Sequence, residues 1–248
     1  KVVRRGLTLV LLGIVYNGLL DLDFENLRYA SVLGRIGLAW MLAALLYVWT
    51  SRRVCLAVGS GILMLYWAML ALLSAPDYPE ASSLSMEGSI VGYVDRLFLP
   101  GQLQDGIHDQ ERLLSTLPAV ATAMMGILTG EFVRSAKANG HRKSALLMLL
   151  GLAFFCLGWA WDIVLPVNKN LWTSSFVLVA GGLSMMLFSA FYWVVDVMQW
   201  RGWTLFFRVV GMNSIAIYLA QHFLDAQKPV KTIFGGVLGL VPENLYAL

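Results

Sequence analysis

An all-α fold, a polytopic bundle of transmembrane helices with seven to eight spans, is what this sequence predicts, and three observations carry it. Hydrophobic residues make up 58% of the 248 residues, charged residues 13%, and the mean hydropathy is +0.70, more apolar surface than a water-soluble core absorbs. The excess falls in charge-poor runs of about 20 residues, the length a helix needs to cross roughly 30 Å of hydrocarbon. These runs are about twice as long as a spanning strand and lack period-2 alternation, which argues against a barrel.

The first run, 2–20, follows the basic start KVVRR. It has the outline of a signal peptide but no small-residue cleavage site, so it reads as a spanning helix with its basic flank, in a chain expected to have lost residues upstream. Runs at 29–50, 54–73, 113–133, 144–164, 171–195 and 203–223 follow. An eighth, beginning near Val230, is weaker, because Gly235, Gly236, Gly239 and Pro242 make a poor isolated helix. The expectation is a single transmembrane domain over 1–248, truncated at both ends. Cys55 and Cys156 both lie inside apolar runs, as small buried hydrophobes rather than a disulfide.

Charge sets the orientation. Eleven of the 18 basic residues (Lys1, Arg4, Arg5, Arg52, Arg53, Arg134, Lys137, Arg142, Lys143, Arg201 and Arg208) flank one set of alternate helix ends, while most acidic residues lie at the other. The basic side is expected to be cytoplasmic. The longest connection, 74–112, then becomes an extracytoplasmic loop, and loops of that length are usually functional. Within it GSIVGYVDRLFLPG reads as a short interfacial or re-entrant helix, bounded by Gly88 and by Pro100 with Gly101.

The polar residues that could carry chemistry gather on that outer side. In PVNKNLWTSS, Pro166 ends one helix, and Asn168, Lys169 and Asn170 offer an ammonium and two amides beside the free N–H groups of the next helix, with Trp172 and Ser174 following. This is either an anion-binding helix start or an ordinary one with Asn170 as N-cap and Trp172 as interfacial anchor. In HDQERLLSTLP, Glu111 and Ser115 are four residues apart and share a face if helical, with Thr116 beside them. Here a carboxylate and hydroxyls facing a cavity compete with a solvated acidic helix start.

Arg35, one turn into an apolar run, either snorkels to the interface or pairs with an outer carboxylate or an anionic ligand. GMNSIAIYL places Asn213 and Tyr218 inside the seventh run, where an Asn commonly joins helices. His108 and His222 lie near outer helix ends, where either could act as a base, and His141 lies in a cytoplasmic loop. The sequence has no metal-ligand constellation and no phosphate-binding glycine loop, and Gly126 with Gly130 reads as close helix packing.

The stretches VLGRIGLAW, ERLLSTLPAVATAMMGILTGE, PVNKNLWTSSFVLVAGG, FYWVVDV and GMNSIAIYLAQ, in this order, resemble the heparan-alpha-glucosaminide N-acetyltransferase family and its bacterial relatives. The resemblance spans most of the chain. It implies a transmembrane acyltransferase of a bacterial inner membrane that takes acetyl from cytoplasmic acetyl-CoA, its co-substrate, and delivers it to an amino sugar or glycan on the periplasmic or outer face. Two departures stand out. Where the family usually reads Asp-Pro-Glu-Gly, this chain has Asp109, Gln110, Glu111 and Arg112. Relatives also begin with helices whose outer loop carries the catalytic histidine and an asparagine, and nothing here matches that segment, which implies a fragment.

The resulting expectation assigns polarisation of the thioester carbonyl to Asn168 or Asn213, with Glu111 as the third catalytic candidate. Arg35, Ser115, Thr116, Lys169, Asn170, Trp172, Ser174 and Tyr218 are the candidates for holding acyl-CoA or acceptor. Membrane lipid and the acceptor are the expected partners, with homodimerisation open and no nucleic acid or metal. The rival classes are a transporter or flippase for an envelope glycan or lipid, and a non-catalytic membrane subunit.

Overall fold

Residues 1–103, 106–111, 113–135 and 138–223 are described by the computed structural model. The eighth apolar run, from Val230, lies outside them, as do Arg112 and the side chain of His222. The described helices are α1 (Val2–Tyr16), α2 (Val32–Trp49), α3 (Arg52–Leu72), α4 (Ile90–Phe98), α5 (Thr116–Arg134), α6 (Gly140–Asp162), α7 (Ser174–Tyr192), α8 (Thr204–Met212) and α9 (Ser214–Phe223). A π-helical turn, Trp193–Val197, continues α7. No strand is formed among the described residues, which hold two isolated bridges, Arg28 with Gly101 and Ser74 with Ser89.

Helix starts follow side chains that satisfy free N–H groups. Ser31 Oγ accepts from Gly34 N at 3.0 Å ahead of α2, and Asn139 Oδ1 accepts from Arg142 N at 2.9 Å ahead of α6. Ser89 Oγ accepts from Val91 N at 3.2 Å, so the GSIVGYVDRLFLPG segment begins its short helix, α4, at Ile90, two residues past Gly88.

Five helices among the described residues are long and apolar enough to cross a membrane: α2, α3, α5, α6, and α7 with its π-helical turn. Seven to eight spans are not reached there, for local reasons. The first run yields a helix of 15 residues, ending where Asn17 Nδ2 donates to the Arg28 and Ala30 carbonyls and Gly18 turns the chain at φ 103°. The run 203–223 is split at Asn213, whose backbone leaves helical geometry and whose Nδ2 donates to the Val209 carbonyl at 2.8 Å. Large apolar side chains such as Leu149, Leu157 and Trp159 of α6 face outward, as they do where lipid is the solvent. The chain is an integral membrane protein.

Contacts divide the chain into two compact units, Lys1–Gln199 and Trp200–Leu248. In the first, the buried core joins α2, α3 and α5 through Ala39, Ala43, Cys55, Ala119, Val120 and Met124. Cys55 is buried there, whereas Cys156 lies on an exposed face of α6, contrary to the expectation that both are buried. α6 and α7 pack backbone to backbone: a Cβ on Gly182 would stand 2.5 Å from Phe155 N and 2.6 Å from the Gly151 carbonyl oxygen. Near their far ends Ser189 Oγ donates to the Ser144 carbonyl at 2.7 Å, a contact of the kind that joins helices in lipid. The second unit comprises α8 and α9.

Candidate functional site

Three arginines organise the segment 74–112: Arg96 from within it, and Arg28 and Arg35 from the chain that precedes it. Arg96 donates through Nε and Nη2 to both Asp77 oxygens, at 2.7 and 2.9 Å, and to the Ile107 and Glu87 carbonyls, with its guanidinium over the Tyr78 ring. Hydrogen bonding to Arg96 holds the Asp77 carboxyl below its ordinary pKa. Arg28 makes a two-pronged pair with the fully buried Asp109, both bonds 2.6 Å, and Asp109 Oδ1 also accepts from Glu111 N at 2.7 Å. Asp95 of α4, fully buried, accepts from Leu113 N at 2.9 Å. These bonds fix residues 109–111 in a turn and tie Leu113 to α4.

That turn delivers Glu111 to Arg35. Arg35 is 7% exposed, its Nε lies 3.1 Å from Glu111 Oε2, and its Nη2 donates to the Gln110 carbonyl at 2.5 Å and to Ser115 Oγ at 2.7 Å. Of the two readings of Arg35, pairing with a carboxylate of this segment is the one formed. Glu111 and Ser115 converge as expected, but through a turn: α5 starts at Thr116, with Ser115 as its N-cap residue. An unpaired guanidinium at the centre of a membrane helix costs about 3 kcal/mol on insertion scales; Arg35 is buried in the first turn of α2, and these three partners supply its pairing.

The fourth neighbour is Trp172, whose ring centroid lies 4.7 Å from Arg35 Cζ and whose edge meets Phe176 at 5.2 Å. Its backbone is left-handed, φ 53°, a conformation that costs a bulky residue roughly 1–3 kcal/mol. Its buried Nε1–H has no hydrogen-bond partner among the described residues. The surrounding loop enforces this position. Asp162 Oδ1 accepts from Val167 N, and Asn168 Oδ1 accepts from Asn170 N at 2.8 Å and Leu171 N at 3.2 Å. Thr173 Oγ1 donates to the Pro166 carbonyl, while Tyr66 Oη donates to the Leu171 carbonyl at 2.6 Å.

This loop corrects the reading of Asn170 as N-cap. The cap is Thr173, whose Oγ1 accepts from Phe176 N, because the N–H groups an Asn170 cap would satisfy, those of Trp172 and Thr173, already donate to the Lys169 and Asn168 carbonyls. Ser174 is likewise committed, donating to the Leu63 carbonyl at 2.7 Å. Lys169 is exposed, Asn170 half-buried and Thr116 buried. Asn213 and Tyr218 belong to the second unit. His108 is buried, 1% exposed, and His141 Nδ1 accepts from Trp193 Nε1 at 3.2 Å. No group of three or more potential metal ligands forms among the described residues.

Below Trp172 a groove of ≈ 470 Å³ runs between α5 and α7, lined by Thr122, Met125, Gly126, Thr129, Gly130, Trp172, Phe176, Ala180, Gly181, Ser184, Met185 and Phe188. Gly126 and Gly130 pack against no neighbouring helix among the described residues: a Cβ on either would meet none of their atoms within 4 Å. The expectation of close packing is overturned there, and that role belongs to Gly151, Gly158 and Gly182. The i, i+4, i+8 spacing of Thr122, Gly126 and Gly130 was the available signal for a furrow, but the same pattern encodes close packing, and only the partner helix distinguishes them. The site therefore joins a charged, buried cluster (Arg35, Glu111, Ser115) to an uncharged groove through one indole.

No family model matches the chain. It is 26% identical, over an alignment of 284 residues covering 92% of its length, to the heparan-alpha-glucosaminide N-acetyltransferase of Homo sapiens, and equally so to that of Mus musculus. The chain spans 42% and 43% of those two proteins, less than half of either. The family resemblance read from the motifs thus stands as a distant relationship.

Proposed function

We propose, from that distant relationship, that this chain forms the helical part of a membrane acyltransferase that moves an acetyl group from acetyl-CoA to an amino sugar or glycan. The observation that carries the reading is the junction at Trp172 of an uncharged groove with a buried ion pair and hydroxyl. A groove of ≈ 470 Å³ is within the size of small-molecule sites, and its lining suits the neutral arm of a CoA thioester. The cluster suits the other substrate: Glu111 is a carboxylate for a sugar amine or hydroxyl, and Arg35 keeps that carboxylate, Gln110 and Ser115 in one arrangement.

In this reaction the acceptor nitrogen, as free amine, attacks the thioester carbonyl carbon. The new C–N bond forms, the C–S bond breaks, and CoA leaves as a thiolate that takes up a proton, while the amine gives its proton to a base. The resemblance assigns that base to a histidine in a loop with no counterpart in this sequence. Within this chain Asn168 is our candidate to polarise the carbonyl through its amide N–H groups, and Lys169 and Asn170 line the approach. Asn213, the alternative polariser of that carbonyl, and Tyr218, a candidate for substrate binding, are assigned from sequence alone. The basic helix ends around Arg134 and Lys143 face the cytoplasm in this reading, and the Arg35 cluster faces the opposite side of a bacterial inner membrane.

The test uses the full-length natural protein in lipid nanodiscs with acetyl-CoA and a panel of amino sugars and glycans. Acceptor-dependent release of free CoA thiol, with an acetylated sugar found by mass spectrometry, is the expected result. Movement of intact glycan or lipid across the bilayer without thioester consumption would replace this reading with a transporter.

A further inference from the structure

Trp172 occupies the one place where the groove meets the charged cluster, and its size there sets a length. Thr122 to Gly130 spans about 12 Å of α5 and Phe176 to Phe188 about 18 Å of α7, at 1.5 Å per residue. No lining side chain is charged. The Thr122 and Thr129 hydroxyls donate back to the Pro118 and Met125 carbonyls at 3.1 and 2.8 Å, so they present little hydrogen-bonding capacity to an occupant. A narrow, neutral, flexible chain matches such walls, whereas a phosphate or a sugar ring does not. At the cluster end the indole both lines the groove and carries Arg35 against its ring, braced edge-on by Phe176.

We propose that Trp172 is the stop that fixes which acyl group this groove accepts. The inference rests on the acyltransferase reading above. An acyl thioester enters from the end of the groove marked by Gly130 and Phe188 with its acyl tip leading, and the tip comes to rest against the indole. A two-carbon group then holds its carbonyl carbon as far forward in the groove as the indole permits, at the end nearest the Arg35, Glu111 and Ser115 cluster. Each added methylene holds that carbonyl further back along the groove, out of reach of the acceptor. Trp172 is thus a specificity-determining residue, kept in place by a left-handed backbone and by stacking, with no hydrogen bond from its N–H to the described residues.

The experiment compares kcat/KM for acetyl-, propionyl-, butyryl- and hexanoyl-CoA in the full-length protein and in Trp172→Leu and Trp172→Ala. In the wild type the values fall steeply with chain length. Shortening the side chain moves the optimum to longer acyl groups and changes the acetyl-to-butyryl ratio by about tenfold or more, further in Trp172→Ala than in Trp172→Leu. The leucine variant keeps an apolar side chain against Phe176 and carries the test if the alanine variant does not fold. A wild type indifferent to chain length, or variants that retain its length profile, would overturn the stop while leaving acyl transfer standing. A wild type that consumes no CoA thioester overturns the preceding reading, and this one with it.

Discussion

Arg35 and Arg28 show how a membrane protein keeps charge near its apolar interior. Each guanidinium is matched to a carboxylate from the same turn, Glu111 and Asp109, and Asp109 also accepts the backbone N–H of Glu111. Asp109 therefore positions Glu111 without facing the groove. Replacing Asp109 by Ala removes both Arg28 bonds and the acceptor of the part-buried Glu111 N–H. The expected loss is about 3 kcal/mol, the low end for breaking a buried pair, because the Arg28 side chain remains 25% exposed. Asp109→Asn, which keeps an acceptor for Glu111 N, loses less. Thermal unfolding in detergent measures both, and an Asp109→Ala protein that melts with the wild type would remove Asp109 from this account.

At the scale of the helix, glycines do opposite work. On α6 and α7, Gly151 and Gly182 allow backbones to touch, and no side-chain rotation makes room for a larger residue at 182. On α5, Gly126 and Gly130 leave space that belongs to the groove. Gly182→Leu is expected to force α6 from α7 and cost about 3 kcal/mol or more, as overpacking against fixed atoms does. Gly126→Leu should fold normally and fill the groove. Size-exclusion profiles and melting temperatures of the two variants decide the matter, and equal destabilisation by both would mean that the α5 face is packed rather than open.

For the whole molecule the open question is direction. Alternate helix ends differ in basic content, and Lys169 and Arg134 are exposed at opposite ends of the first unit. With the basic side cytoplasmic, Lys169→Cys in intact cells should react with a membrane-impermeant thiol reagent. Arg134→Cys should react only after the membrane is opened. The reverse pattern would invert the topology and place the Glu111 cluster on the cytosolic side.

Helical class and membrane character were legible in composition and run length, because a bilayer of fixed thickness imposes both on any sequence that crosses it. Polar residues of the 109–116 and 166–175 segments were legible as candidates, since amides, carboxylates and hydroxyls beside apolar runs are rare enough to notice. Their division of labour was not. Asn168 and Ser174 bond within and beneath their own loop, while Glu111, Ser115 and Trp172 converge on Arg35 from 76 to 137 residues away. Whether Gly126 and Gly130 line a groove or a contact was equally hidden. Local sequence determines which groups a helix end can satisfy by itself; what faces the residues left over depends on neighbouring helices, and only the packed bundle supplies those.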